Sequence, residues 1–568
     1  MDDQLHARIA AEDYLETLGT HGIDYLFVNP GTDFPPIVEA FARAAHSNRP
    51  VPRPIVVPHE NAAVGMAHGV TMVSGRPQAV MVHVNVGTAN AINMLIDASR
   101  DRIPMLFTSG RTPITETGPS GTRSAYIHWA QEMFDQAGML REIVKWDYEL
   151  RRGDQVADAV DRALTMATTS PSGPVYLSLP REVLGEHVAP TTATRPPRAR
   201  PRAPHPSPSD ISTIADWIAA ARLPLIITSS AGRYPQDSAA LARVAERFAI
   251  AVVGSQPRHF VLPSSHPMYM GAALEGLLQE ADLVIALEAD VPWIPSKEAP
   301  QPGARIVQIG EDPLYERYPM RNFPSDLTMK TATGPLLAAL EQALEQRLPV
   351  GRPEIAARRT KLAERSAQLR SRWREEAEAA GRKDTVTLPW LNHCLHAVLD
   401  PGAIVINEYS FRQQFCPLET PGSLFSVASA GGLGWGFPAA LGAKLAAPER
   451  MVVAFLGDGA YMFANPTACH WVAEERDLPV LTIVYNNTLY GAVRRATLDM
   501  YPNDTAAGED GRRLADLGRG PAFELIVEAH RGHGERVEHP AQLPAALQRA
   551  AAAVRAGRQA LVNVICTI

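Results

Sequence analysis

Short apolar runs rich in β-branched residues alternate with segments whose apolar positions recur every three to four residues, first at 24–31 (DYLFVNPG), PPIVEAFARAAH and 54–60 (PIVVPHE). A side-chain period of two giving way to one near 3.6 is the pattern of a strand followed by a helix. The rhythm continues with NAAVGMAHGVTMVSG as a predicted helix, QAVMVHVNVG (78–87) as a strand, TANAINMLIDASRD as a helix, then IPMLFTSG and PVYLSLP as strands. The strands are almost continuously apolar, as expected where helices cover both faces of a parallel sheet. A second run of the same kind, LPLIITSSAG, SAALARVAERFA, IAVVGS, ADLVIALEAD and ARIVQIGEDP, extends to about residue 348. A third holds the strands AIVINE, MVVAFLGDG, LPVLTIVYNN and QALVNVICTI.

Two stretches break the rhythm. Residues 186–210 hold seven prolines and four arginines without apolar periodicity, the composition of a stiff extended linker. Residues 354–381 read as a charged helix with few large apolar residues, predicted to be solvated and to bridge two domains. The expected organisation is α/β, with three doubly wound parallel-sheet domains: 1–188, a Pro/Arg-rich linker at 189–207, a central domain at 208–348, a charged helical linker at 349–383, and a C-terminal domain at 384–568. No repeat with a period of 20 to 50 residues is present.

Composition narrows the function classes. At about 100 to 200 residues per domain, 568 residues suit three domains, and 46% hydrophobic with 20% charged residues excludes a disordered or collagenous chain. Lysine plus arginine number 54 against 61 acidic residues, a net charge of −7 with the signs interspersed, so no nucleic-acid partner is expected. Cys394, Cys416, Cys469 and Cys566 are irregularly spaced with no CxxC, which argues against a disulfide framework or zinc ribbon and for buried thiols in a reducing compartment. The acidic, amphipathic start MDDQLHARIAAEDYLETL lacks a signal-peptide pattern, and no run of 18 apolar residues occurs, so a cytoplasmic protein without a membrane partner is expected.

The sharpest chemical signal is Gly457-Asp458-Gly459, followed after the 26 residues from Ala460 to Tyr485 by Asn486-Asn487. The first motif ends a predicted buried strand. Asn465-Pro466 supplies an N-cap and first-turn proline for a helix, and the next strand ends at the asparagine pair. In a parallel βαβ unit both strand ends lie on one edge of the sheet, so one ion can bridge them. A carboxylate and an amide oxygen form a hard, oxygen-only site suited to magnesium, too few donors to hold it without phosphate oxygens and water. Alone, the first motif is also compatible with a strand-ending turn, and Glu60 with a carboxylate favouring a helix N-terminus.

Together with NPGT from Asn29 to Thr32, PHE ending at Glu60, AGGLGWGFPAALG from Ala430, GDGAYMF and NNTLYGAVR from Asn487's neighbour Asn486, these motifs resemble the thiamine-diphosphate-dependent 2-oxo-acid decarboxylase and carboligase superfamily over essentially the whole chain, through the acetolactate synthases and benzoylformate decarboxylases. The resemblance implies pyrimidine-binding, central and diphosphate-binding domains. It places magnesium on Asp458, the Asn487 side chain and the Leu489 carbonyl, with Gly457, Gly459, Ala460, Tyr490, Gly491, Asn29, Pro30 and Gly31 against the cofactor. Glu60 would hydrogen-bond the aminopyrimidine N1′ and favour the imino tautomer that removes the thiazolium C2 proton. The Gly431 carbonyl would accept from the 4′-amino group, and Leu433 would be the wedge that keeps the cofactor bent. The GxGxG spacing of Gly432, Gly434 and Gly436 is weak support for an alternative NAD site.

Nearer the reacting carbon the resemblance is mixed. His83 matches a histidine of the aryl-oxo-acid decarboxylases, with catalysis or substrate binding as the implied role. Their second histidine has no counterpart: DVPWIPSKEAP offers Trp293, Ser296 and Lys297. Gln131 resembles a glutamine of the acetolactate synthases, but Ala496 stands where their specificity tryptophan falls. Thr32, Ala492 and Trp293 complete the candidate substrate set. ITSSAGR at 227–233 replaces the glycine triplet of flavin-binding synthases, so FAD is not favoured. The leading expectation is cleavage or formation of a carbon–carbon bond beside the carbonyl of a 2-oxo acid, with an aldehyde or ketone as acceptor in the carboligase case. The alternatives are a benzoylformate-type decarboxylase, a 2-hydroxy ketone or 2-hydroxyacyl lyase, which a chain without an extended tail after NVICTI disfavours, and a non-catalytic cofactor-binding relative. A homodimer or homotetramer with active sites between subunits is implied.

Overall fold

A computed structural model describes residues 8–46, 49–189, 198–199, 201–348 and 352–566. It contains three parallel sheets. The first comprises β1 (Tyr25–Asn29), β2 (Arg53–Val56), β3 (Gln78–Val82), β4 (Met105–Arg111), β5 (Asp147–Glu149) and β6 (Pro174–Pro180) in the order β2-β1-β3-β4-β6-β5. The second comprises β7 (Pro224–Thr228), β8 (Ala251–Gly254), β9 (Leu283–Leu287), β10 (Arg305–Gly310) and β11 (Leu327–Lys330), ordered β11-β10-β9-β7-β8. The third runs β13-β12-β14-β15-β17-β16, from β12 (Ile404–Glu408), β13 (Leu424–Ser426), β14 (Val452–Gly457), β15 (Leu481–Asn486), β16 (His533–Val537) and β17 (Ala560–Ile565). Every pairing is parallel, and β3, β7, β8, β9 and β15 are buried along their whole length, so each sheet is doubly wound as the sequence predicts. Within the predicted linker 189–207, residues 190–197 and 200 lie outside the described residues. No helix among the described residues is long and apolar enough to cross a membrane.

By contact, the chain forms two compact units: 1–201 with 427–448 and 460–478, and 202–426 with 449–459 and 479–568. In the first, the helix Gly436–Ala446 packs on the helix Glu60–Ser74 with backbone against backbone. A Cβ on Gly69 would fall 2.0 Å from the Ala439 carbonyl oxygen, and one on Gly442 2.0 Å from that of Met66. In the second, Ile355, Leu362, Leu369, Trp373 and Ala377 of the helix Pro353–Ala380 join the core of the central sheet. The predicted solvated bridge is therefore half-buried: spacings of seven, seven, four and four residues make a seam too narrow to register as apolar content. Arg358 on the same helix donates to the carbonyls of Phe248, Ala249 and Ala221, and burial lowers its guanidinium to about 10.

Other boundaries shift for local reasons. The predicted strand 78–87 ends at Val82, because the Asp33 carboxylate accepts from Val84 N–H (3.4 Å) and opens a helix there despite the β-branched run. The predicted strand 54–60 stops at Val56, and the following helix starts at Glu60, capped by His59 Nδ1 accepting from Asn61 N–H at 3.2 Å. Asn465 does not act as a side-chain N-cap: its backbone is left-handed (φ 53°), and its amide faces His59 Nδ1 at 3.4 Å.

At the carboxyl edge of the central sheet, Asp237, Glu288 and Glu311 follow β7, β9 and β10. Burial, then Glu311 and Glu288, push the Asp237 carboxyl up to about 6. A raised acid pKa means the folded state holds more protons than the unfolded state, so this group's stability contribution is complete below about pH 4 and lost as pH rises through about 6.

Two predictions follow from packing and charge. Alanine at Gly69 should lower stability by about 1–3 kcal/mol through overpacking, whereas an interface able to relax would show the roughly 1 kcal/mol gain of alanine over glycine in a helix; denaturant unfolding reads the sign. Asp237→Asn should flatten the decline in stability between about pH 4 and 6 and raise it at neutral pH by roughly 1–3 kcal/mol, measured by unfolding across pH.

Candidate functional site

Because the first sheet is parallel, the segments leaving β1, β2 and β3 emerge at one edge, and these strands are neighbours. They carry Asn29 to Asp33, Glu60 and His83. Glu60 occupies the first turn of its helix, is 7% exposed, and accepts from the Asn90 amide at 3.2 Å. Gly31 lies flat against the His83 ring: a Cβ there would fall 2.2 Å from Nδ1.

His83 is oriented by a residue the sequence reading missed. Its Nδ1 lies 2.5 Å from the carboxylate of Asp33, a side chain with only 2% exposure. The Nδ1–H therefore donates to Asp33, and Nε2 is left as the acceptor, with the Gln131 amide 3.4 Å away. A second imidazole is present as well. His128 lies one turn before Gln131, its Nδ1 accepts from the backbone N–H groups of Ser124 (3.1 Å) and Ala125 (3.3 Å), and its Nε2–H donates to Thr32 Oγ1 at 3.3 Å. Burial, then Arg181, Arg123 and His83, lower its pKa below the usual 6.5. Thr32, with its oxygen engaged as acceptor, keeps its hydroxyl hydrogen to donate. The signals were present in NPGTD, where Asp33 follows the motif, and in HWAQ, where His128 precedes Gln131 at helical spacing.

In the same unit lies the loop from Gly431 to Trp435. Gly431 has φ 69°, Gly432 N–H donates to Asp97, and the Leu433 carbonyl accepts from Asn93. Trp435 is fully buried, its indole N–H donating to His68. Ala460 is buried in this unit too.

The second unit gathers the oxygen donors. β14 and β15 are adjacent with Gly457 opposite Tyr485, so Asp458 and Asn487 leave neighbouring strand ends. Asp458 is 5% exposed, and burial pushes its carboxyl up, while the backbone N–H groups of Gly459, Thr488 and Leu489 oppose that shift. Asn487 Oδ1 accepts from Leu489 N–H (3.0 Å), and the Leu489 carbonyl from Gly491 N–H (2.8 Å), so each oxygen keeps a second lone pair. Among the described residues no group of three His, Cys, Asp or Glu side chains makes a metal site. One carboxylate, one amide oxygen and one carbonyl instead make a hard donor set that fits magnesium sharing its shell with phosphate. Asn486 is structural, donating to Asn563 on β17. A Cβ on Gly459 would press on the Tyr490 ring at 2.9 Å.

Three further candidates lie in the second unit. Trp293 is 4% exposed in the central core, edge-on to Phe323, so its bulk serves packing. Ala492 and Ala496 lie on the exposed helix Gly491–Met500, which buries none of its residues and whose Asp499 pairs at 3.2 Å with Lys297, in the segment between β9 and β10.

Three family descriptions match in chain order: "Thiamine pyrophosphate enzyme, N-terminal TPP binding domain" at 9–139, "central domain" at 211–340 and "C-terminal TPP binding domain" at 408–564. Benzoylformate decarboxylase of Pseudomonas aeruginosa is 28% identical over 536 residues, covering 91% of this chain and 93% of that protein. Acetolactate synthase isozyme 1 large subunit of Escherichia coli is 26% identical over 509 residues, covering 85% and 83%. The structure of a Rhodococcus jostii RHA1 thiamine diphosphate-dependent 4-hydroxybenzoylformate decarboxylase superposes with a TM-score of 0.79 over 99% of both chains at 21% identity, a likeness of fold.

The locked tautomer of His128 is directly observable. Its imidazole ¹⁵N resonances should report Nε2–H at neutral pH and titrate with a midpoint below 6.5; a midpoint at or above that value refutes the assigned hydrogen bonds.

Proposed function

The chain belongs to the thiamine pyrophosphate enzyme family, as a thiamine-diphosphate-dependent decarboxylase or carboligase, and on that premise we propose that it uses magnesium with this cofactor to decarboxylate a 2-oxo acid of the arylglyoxylate kind. The observation that carries the substrate reading is the Asp33–His83 pair, with Thr32 and His128 beside it.

Thiamine diphosphate supplies a nucleophilic carbon and an electron sink for the pair released as carbon dioxide leaves. Asp458, the Asn487 side chain and the Leu489 carbonyl would hold the magnesium, which would neutralise the diphosphate. Glu60, largely removed from water, would share a proton with the aminopyrimidine ring, and Asn90 keeps the carboxylate from turning away. Gly431 supplies the carbonyl for the amino group, and Leu433 the apolar wedge. Thr32 donates its hydroxyl hydrogen to a substrate oxygen, because His128 already occupies its acceptor side. His83 holds and returns a proton at Nε2, the nitrogen that Asp33 leaves free.

Gln131 is the feature that favours a second reading, in which a second carbonyl replaces the proton as acceptor and the enzyme joins two substrates. Flavin is not favoured in either. Asp237, Glu288 and Glu311 sit around the switch point between β7 and β9, where a dinucleotide's phosphates would meet like charge. The working form is a homodimer or a dimer of dimers.

Purified protein given magnesium, thiamine diphosphate and a panel of aryl and aliphatic 2-oxo acids should release carbon dioxide and the corresponding aldehyde fastest from the aryl acids. Condensed hydroxyketone or hydroxyacid products without free aldehyde would replace this reading with the carboligase one. Glu60→Gln should bind the cofactor but lose about 10²- to 10⁴-fold in C2 proton exchange, followed by hydrogen–deuterium exchange; an unchanged rate removes Glu60 from the chemistry.

A further inference from the structure

The helix Val84–Arg100, with its C-cap Asp101, carries a polar side chain at almost every turn on one stripe: Asn90, Asn93, Asp97 and Asp101. At 100° per residue these four positions fall within roughly 80° of one another. Each is engaged. Asn90 donates to Glu60 (3.2 Å), Asn93 to the Leu433 carbonyl (3.0 Å), and Asp97 accepts from Gly432 N–H (3.0 Å). Asp101 lies 3.5 Å from His68 Nε2, and His68 Nδ1 accepts from the Trp435 indole (3.1 Å).

Asp97 and Asp101 are 0% and 1% exposed, and burying a carboxylate is costly unless hydrogen bonds compensate. An apolar residue at either position would serve a helix that had only to pack. The glycine pattern of the loop has the same origin. A Cβ on Gly432 would fall 2.7 Å from Asp97 Oδ2 and 2.9 Å from Asn93 Oδ1, so the second glycine of GGLGWG makes room for these two side chains.

We propose that this helix is a positioning element, in which Asp97 holds the Gly432 N–H, Asn93 holds the Leu433 carbonyl and Asn90 holds Glu60, so that the carboxylate and the loop are set against one another before a cofactor binds. The assignment rests on the reading of Glu60, Gly431 and Leu433 given above. Asn90, Asn93 and Asp97 are positioning residues. They act on the aminopyrimidine through the groups they hold.

The test uses the full chain in two states. Without cofactor, amide hydrogen exchange across 431–436 should rise about tenfold or more in Asp97→Ala, which deprives Gly432 N–H of its acceptor. With saturating thiamine diphosphate and magnesium, Asn93→Ala and Asp97→Ala should each lose about tenfold or more in C2 proton exchange, as misplacement of a reacting group does, while cofactor affinity by calorimetry shifts far less. Asp97→Asn, whose amide oxygen still accepts from Gly432, should recover most of that loss, which a general packing defect would not allow. Wild-type C2 exchange in Asn93→Ala, a half-buried site expected to fold, overturns the proposal, as does loop exchange unaltered in Asp97→Ala. A wild-type protein that binds no thiamine diphosphate overturns the functional reading first and this inference with it, so the two failures are told apart.

Discussion

In a parallel sheet all strands finish at one edge, and each chain segment that leaves a strand does so beside the others. Asp33, Glu60 and His83 are far apart in sequence and meet only because β1, β2 and β3 run in the same direction side by side. The same constraint brings Asp458 to Asn487 in the third sheet and the three carboxylates together in the second. Parallel pairing also requires a crossover to return each connection, in most cases here a helix, and those helices bury both faces of the sheet. The edge is thus the place where polar groups can gather without disturbing a core.

Within that frame, hydrogen-bond donors and acceptors are assigned by subtraction. His83 and His128 are chemically identical residues, yet Asp33 takes the Nδ1 proton of one, while two backbone N–H groups occupy the Nδ1 lone pair of the other. One ring is left with an acceptor nitrogen that faces the Gln131 amide, the other with a donor that fixes a threonine. The difference lies entirely in what faces each ring, and it is the kind of difference that separates proton transfer from orientation.

The sheets and the two strand-end motifs were legible in the sequence because they depend on local signals: apolar runs, glycine turns, and the fixed spacing from Asp458 to Asn487. What escaped depended on contacts across long separations. Asp33 is an unremarked acid after NPGT until His83 folds onto it, and the Val82 strand end is decided by that same acid rather than by the β-branched run around it. Trp293 had the chemistry of a pocket residue but the environment of a core one. Asn93 and Asp97 looked like ordinary polar positions in a helix, since their partners lie more than three hundred residues away. The helix Pro353–Ala380 hid its apolar seam among charges that sequence composition weighs more heavily than spacing.

The close approach of Gly69 to Ala439 and of Gly442 to Met66 means that a piece of the last third of the chain is structurally part of the first. A chimera assembled by joining the first sheet of this protein to the third sheet of a relative would pair one protein's glycine faces with another's side chains. Exchangeable parts must therefore be drawn in space, with 60–74, 84–101 and 431–446 moved as one block. Substitutions within that block are expected to have been inherited jointly, because a side chain gained on one helix has room only if its opposite is lost on the other.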